Sequence, residues 1–181
     1  SLSFHNLVVG CNGQRQAMFL ENASGLAEQI LRNFELSEKD TALVISSSGC
    51  NRVPIEMAEL FQKQGIKVVA LVSKLHSNAS KTKDTRGKKL SDFADLILDT
   101  GAPVGDAMID IQGLDTPVSP GSTLGGCLVI NSIKAEVAQR LTDAGQPPKV
   151  LTAGAVIGAE RATEIFQAAY DEHGRRLSRY Y

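Results

Sequence analysis

The stretch Ala42-Leu-Val-Ile-Ser46-Ser-Ser-Gly49-Cys-Asn51 begins as a short apolar run and breaks into three hydroxyls, a glycine and an amide. Directly after it, Val53, Met57, Leu60 and Phe61 recur at helical spacing over Arg52–Gln64. An apolar run of this length, bounded by turn residues, reads as a strand covered on both faces. The junction therefore points serine hydroxyls and backbone N–H groups at one spot, beyond a strand end and at the positive end of a helix. An anion rich in oxygens suits that spot, and phosphate is the first candidate. Asn51 is placed as N-cap, Pro54 in the first turn and Gly65 at the C-terminal exit.

Upstream, Phe19, Leu20, Ala23, Leu26, Ala27, Ile30, Leu31 and Phe34 predict one amphipathic helix over 17–34. Downstream, Lys67–Ser73 reads as a second buried strand. Leu75–Lys89 reads as a long polar loop running into a short helix near Lys89–Ala94. Leu96–Asp99 and Ala107–Ile111 read as further strands, separated by the turn Gly101–Asp106. A long helix follows Ser119-Pro-Gly-Ser-Thr123, with Leu124, Leu128, Ile133, Val137 and Leu141 on its apolar face and Gly145 and Pro147-Pro148 at its end. One more amphipathic helix, striped by Ala162, Ile165, Phe166, Ala169 and Tyr170, occupies the tail. Alternating strands and helices imply an α/β fold: a three-layer α/β/α sandwich around a doubly wound parallel sheet, with ligands outside the carboxyl ends of the strands. Ser46–Asn51, Ser73–Ser77 and Gly101–Asp106 are all expected on that edge.

At 181 residues, with 43% hydrophobic and 22% charged content, the chain suits one core-bearing domain. A formal net charge of −1, sparse aromatics and no Trp argue against nucleic acid or an acidic membrane as partner. No apolar run reaches membrane-spanning length. Cys11, Cys50 and Cys127 are odd in number and widely spaced, which favours a reducing, cytoplasmic setting over a disulfide framework. Ser1–Asn12 carries no strong strand or helix signature, so part of the natural protein is expected to lie upstream. The reading divides the chain into a binding domain over 1–148, incomplete at its N-terminus, and a helical tail over 149–181.

The loop Ser46-Ser-Ser-Gly49-Cys-Asn51-Arg-Val-Pro54-Ile-Glu56-Met-Ala58 resembles the phosphosugar-binding loop of the sugar isomerase (SIS) domain family, and within it a subgroup of uncharacterised proteins similar to phosphoheptose isomerases. Arg86-Gly-Lys-Lys-Leu90, Asp95, Gly101-Ala-Pro103, Gly105-Asp-Ala107, Ser119-Pro-Gly-Ser-Thr-Leu-Gly-Gly126 and Asn131–Val137 extend the likeness in order over about 35–148. The resemblance implies a phosphosugar ligand, a homodimer or higher homo-oligomer, and an aldose–ketose isomerase activity for which no cofactor is expected. Departures are Asn51, where the wider family has Thr, a tail after Pro148 unlike the subgroup's ending, and the absence of the family's first strand with its glycine-rich turn, which is expected to precede this chain.

In the phosphosugar reading Ser46, Ser48 and Asn51 hold the phosphate, Ser47 and Gly49 support it, and Ser122 and Thr123 make a second contact. The plainer reading of each serine is a helix cap. Lys81–Lys89, with five positive residues against Asp84, reads as a solvated loop or as a flap that draws in an anion. Isomerisation needs a base to move a proton between adjacent carbons and an acid to open the ring. His76, Asp106, Glu56 and Glu136 are the candidates, with His5 near the start of the chain; no pair has a diagnostic spacing. His5, His76 and His173 lie apart from one another and from the cysteines, so no metal site is expected. A phosphosugar sensor without catalysis, and an amino-sugar-phosphate lyase or etherase, are the competing readings.

Overall fold

The computed structural model describes residues 13–177. These fall into two compact units that divide between Val129 and Ile130. The first contains α1 (Gly13–Leu20), α2 (Leu26–Leu31), β1 (Thr41–Ile45), α3 (Arg52–Lys63), β2 (Lys67–Val72), α4 (Lys74–Ala79), a 3-10 turn (Leu90–Phe93), β3 (Leu96–Asp99), β4 (Ala107–Ile109) and β5 (Val118–Pro120). Helix α5 (Gly121–Asp143) carries the chain across the division, and α6 (Gly154–Ile157) and α7 (Ala159–Leu177) follow.

The main sheet is parallel, in the order β1-β2-β3, with helices on both sides. This is the expected α/β layering. Register pairs Ala42 with Val68, Val44 with Ala70 and Ala70 with Ile97. Because side chains alternate along a strand, Ala42, Val44, Val68, Ala70, Val72 and Ile97 share one face. Against it packs the apolar stripe of α3, including Ile55, Ala58 and Phe61, completed by Ile66 and Leu90. On the opposite face the central strand is closed and its neighbours are open: Leu71 is fully buried, whereas Ile45 is 57% exposed and Leu96 is 53% exposed. Burying a residue such as Ile55 stabilises the fold by about 1.5–3 kcal/mol, so the α3 face supplies most of the unit's cohesion.

Three expectations are corrected. The helix predicted over 17–34 is two helices. Asn22 Nδ2 donates to the Met18 carbonyl at 2.9 Å and ends α1, while the Glu56 carboxylate takes the Gly25 N–H at 3.0 Å and the Ser24 hydroxyl at 3.4 Å. Polar groups of Asn22–Gly25 thus find better partners outside a continuous helix. The predicted polar loop from Leu75 opens instead with helix α4, because Ser73 Oγ accepts the His76 N–H at 3.1 Å and caps it. Ala107–Ile109 does not extend the parallel sheet; it pairs antiparallel with Val118–Pro120, a strand the sequence reading missed. The turn from Thr100 to Asp106 is too short for a parallel crossover, which takes a dozen residues or more.

Helix α5 starts against the end of β3. A Cβ on Gly125 would lie 1.9 Å from the Thr100 carbonyl oxygen, a backbone atom that has no rotamer to escape into. Gly125→Ala should therefore lower stability by at least about 1–3 kcal/mol, read as a reduced denaturant midpoint. Gly126→Ala, with no atom within 4 Å of its added Cβ, is the matched control and should leave the midpoint nearly unchanged.

Candidate functional site

Beyond β1, the Ser46 N–H still donates to the Leu71 carbonyl at 3.1 Å, and then the chain turns. Ser46 Oγ accepts the Gly49 N–H and Ser48 Oγ accepts the Cys50 N–H, each at 3.2 Å. Both hydroxyls act here as acceptors, which leaves their O–H groups as donors for an anion. Gly49 adopts φ 62 and is buried. A Cβ there would sit 3.2 Å from Leu90 Cβ and 3.3 Å from Val72 Cγ1, so the left-handed turn and the close packing both call for glycine. Ser47 Oγ is buried without a hydrogen-bond partner. Asn51 occupies the N-cap position with extended backbone, yet its side chain makes no cap bond. Its Nδ2 donates instead to Glu21 Oε2 at 2.7 Å.

The carbonyls of Ser47, Gly49 and Cys50 in this turn are engaged. Ser47 O accepts Ser73 N–H at 2.9 Å, Gly49 O accepts Leu90 N–H at 2.9 Å, and Cys50 O accepts Lys83 N–H at 2.9 Å. Cys50 is 3% exposed, and its thiol points at the Ser48 and Ser80 carbonyls at 3.3 and 3.8 Å. With its acceptors tied back, the turn has hydroxyls and N–H groups left to offer, which is the polarity an anion needs.

Segment 80–89 is a laced strap along the back of this turn. Arg86 pairs with Asp84 at 2.7 Å and Glu59 at 2.8 Å, and its guanidinium lies 5.8 Å from the Phe93 ring centroid. Thr82 donates to the Lys88 carbonyl and Lys89 Nζ to the Ser77 carbonyl. The hydrogen bond from Arg86 holds the Asp84 carboxyl below its ordinary range; Arg86 and then Lys63 do the same for Glu59. Of the cations offered as an anion-drawing flap, Arg86 and Lys89 are committed to the protein itself.

The three strand ends meet by hydrogen bonds. Ser73 links Ser47 to the next turn by donating its hydroxyl to the Ala102 carbonyl at 2.7 Å. His76 Nδ1 accepts the Gly105 N–H at 3.1 Å, which fixes the neutral ring as the Nε2–H tautomer. Asp106, at φ 72, accepts the Ser122 N–H and the Ser122 hydroxyl, both at 2.7 Å, and caps α5. Asp99, whose carboxyl is held low by the Gly101 and Lys74 N–H groups, braces the same turn.

The structure thus brings Ser46, Ser47, Ser48, Gly49 and Asn51 together in one turn, and joins His76 to the neighbouring turn that Asp106 ends. Ser122 spends its hydroxyl on Asp106, and Thr123 is exposed. Glu56 caps the turn before α2. Glu136 lies in the second unit, paired with Arg140 at 2.8 Å. His5 and Cys11 lie outside the described residues. Sequence reasoning missed Glu21, and it placed Ser73 on the ligand edge without giving it a role. Ser73 carried a signal, a serine between an apolar strand and a polar run; Glu21 carried none, since 30 residues separate it from Asn51. Among the described residues no group of three or more His, Cys, Asp or Glu could hold a metal, and no helix is long and apolar enough to cross a membrane.

The SIS-domain family model matches residues 2–73, which include the strand, the serine turn and α3. A UPF0309 protein of Brucella abortus strain S19 is 35% identical over 167 residues, 92% of this chain and 67% of its own length. The chain belongs to the UPF0309 family and carries an SIS domain. Another member, from Listeria innocua, is 32% identical over 165 residues, 91% of this chain and 66% of that protein. A third, from Halalkalibacterium halodurans, is 35% identical over 145 residues, 80% of this chain and 60% of its own length. The chain thus spans 60% to 67% of the length of these family members. The family match starts at residue 2, so the likeness placed over about 35–148 reaches further upstream than the sequence reading had it.

The strap has an acid signature. Asp84 and Glu59 titrate below their unfolded values, so their pairing with Arg86 contributes fully above a carboxylate pKa of about 4 and is lost as pH falls through the lowered folded values. Arg86→Met should lower the melting temperature at neutral pH, with the gap to wild type closing on acidification. Melting curves across pH check both halves of that expectation.

Proposed function

We propose that this protein binds a phosphorylated sugar, with the phosphate in the Ser46–Asn51 turn, and interconverts the aldose and ketose forms of that sugar. The observation that carries the reading is the turn itself: a strand-to-helix junction whose Ser47, Gly49 and Cys50 carbonyls are occupied, whose Ser47 hydroxyl is buried without a partner, and whose Ser46 and Ser48 hydroxyls keep donors to offer. SIS domains bind phosphosugars, and the family match spans this turn. Ser46, Ser48 and Asn51 hold the phosphate, supported by Ser47 and Gly49; Thr123 faces solvent near the capped start of α5 and takes the sugar. His76, its tautomer set by Gly105, offers Nε2–H as the acid for ring opening.

A second reading, a phosphosugar sensor, is favoured by a different observation. Glu56 and Asp106, both considered as bases, are spent on backbone and hydroxyl groups. The reading also takes residues 1–148 as the binding domain and 149–181 as a tail, and places the protein in the cytoplasm, in keeping with the free thiol of Cys50. It further takes the protein as a homo-oligomer, which the open apolar side chains of Leu43, Ile45 and Leu96 support.

Thermal shift against a panel of sugar phosphates tests binding, and product analysis of each hit separates enzyme from sensor. A ligand at one hundred times its dissociation constant should stabilise the fold by about 2.7 kcal/mol. Ser48→Ala should weaken that shift by roughly 1–3 kcal/mol of binding energy, the range for a lost hydrogen bond to a charged group. No shift with any phosphosugar, in wild type and variant alike, would sink the phosphate reading.

A further inference from the structure

Helix α4 and the turn after β3 are joined by the side chains of Ser73, His76 and Asp99. Asp99 Oδ1 accepts the Lys74 N–H at 3.1 Å and the Gly101 N–H at 3.0 Å, and the Ser73 hydroxyl donates to the Ala102 carbonyl at 2.7 Å. These contacts hold the near half of the turn. The far half is tied to α4 by the Gly105 N–H, which donates to His76 Nδ1 at 3.1 Å. Gly105 and the next residue, Asp106, have left-handed backbone, at φ 83 and 72. A residue other than glycine keeps that conformation only where its surroundings over-determine it. For Asp106 they do: its N–H donates to the Pro103 carbonyl at 2.9 Å, its carbonyl accepts the Gly121 N–H at 2.7 Å, and its carboxylate caps α5 through Ser122. The imidazole's contact and the cap of α5 are therefore made by adjacent residues.

A ring nitrogen accepts a hydrogen bond only while it carries no proton; a neutral imidazole has one such nitrogen and a charged one has none. A second proton on His76 therefore sets two donors, Nδ1–H and the Gly105 N–H, against each other. Imidazole is the side chain that ordinarily gains this charge between about pH 5 and 8. The contacts of the near half do not follow it. Ser73 does not titrate, and the Asp99 carboxyl, held low by the Gly101 and Lys74 N–H groups, keeps its charge through that range. The other charged groups on the elements packed here are Lys74 at the start of α4, Lys89 of the strap, whose Nζ donates to the Ser77 carbonyl, and Asp106 itself. We propose that His76 is a pH-sensitive latch: the neutral ring holds the far half of the turn and, through Asp106, the start of α5, and the charged ring releases both while the near half stays in place. The latch stands on these contacts alone; on the phosphate reading above, the same release loosens the Thr123 contact in acid.

Nitrogen NMR on the whole, ligand-free chain reads the bond directly, as a scalar coupling between the Gly105 amide nitrogen and His76 Nδ1. The coupling should be present at about pH 8 and vanish by about pH 5, in step with the His76 ring signals. Over the same interval the hydrogen-exchange protection of the Ser122 amide, with the intrinsic rate divided out, should fall by roughly fivefold, the factor that one ordinary hydrogen bond is worth. Protection of the Gly101 amide should stay constant. His76→Asn offers an amide oxygen near the Nδ1 position that does not titrate; it should keep Ser122 protected at both pH values, whereas His76→Ala should show the low protection throughout. A coupling absent at the higher pH, or one that survives on the charged ring, overturns the latch. Ser122 protection that falls equally in His76→Asn overturns its reach to α5. Neither readout involves a phosphosugar, so failure of the phosphate reading would leave both outcomes to be decided on their own.

Discussion

The amide of Ser73 donating to the carbonyl of Ser47 is the bond on which the carboxyl edge of the sheet depends. It continues the β1–β2 ladder one step past the point where the strands end, and so fixes the serine turn to the neighbouring strand rather than leaving it as a free loop. From the same residue the Ser73 hydroxyl reaches Ala102 and caps α4 through His76. One small side chain, fully buried, thereby sets the relative positions of three turns. Buried hydroxyls are costly unless satisfied, and this one is satisfied twice.

Occupied carbonyls give the turn its electrical character. A short loop normally shows water as many acceptors as donors; here Ser47, Gly49 and Cys50 have their oxygens bonded to Ser73, Leu90 and Lys83. The remaining exposed polarity is positive in sense, helped by the α3 N-terminus. Such preorganisation means little backbone rearrangement on binding, and entropy lost in folding is not lost again with the ligand. The glycine at 49 serves the same end, because any side chain there would press on Leu90 and Val72 and lift the turn from its anchors.

Much of this was legible in the sequence. The parallel strands, α3 with its cap position, and the serine turn all follow from apolar runs and helical periodicity, which are local signals. Expectations failed where a distant partner decided the outcome. The break between α1 and α2 is stabilised by Glu56 from α3, and the helical period across 17–34 carries no trace of it. The antiparallel ribbon of β4 and β5 is set by pairing across a loop, and Val118–Pro120 is too short to announce itself. Asn51 occupies the expected cap position, yet Glu21 outcompetes the helix for its side chain. Glu21 and the lacing of Arg86 were illegible for one reason: polar partners 27 to 30 residues apart in sequence meet only once the sheet has formed.

That lacing bears on how the chain meets proteases. Lys81, Lys83, Arg86, Lys88 and Lys89 would make residues 80–89 a natural target for an enzyme that cuts after basic residues. Cleavage needs an extended stretch of backbone, and here the Lys83 amide, the Leu90 amide and the Arg86 side chain must first let go of Cys50, Gly49, Asp84 and Glu59. The rate of nicking therefore reports the free energy of unlacing the strap, where opening and closing are fast relative to cutting. Since the strap holds the back of the serine turn, a nicked chain would be one whose serine turn had already come loose.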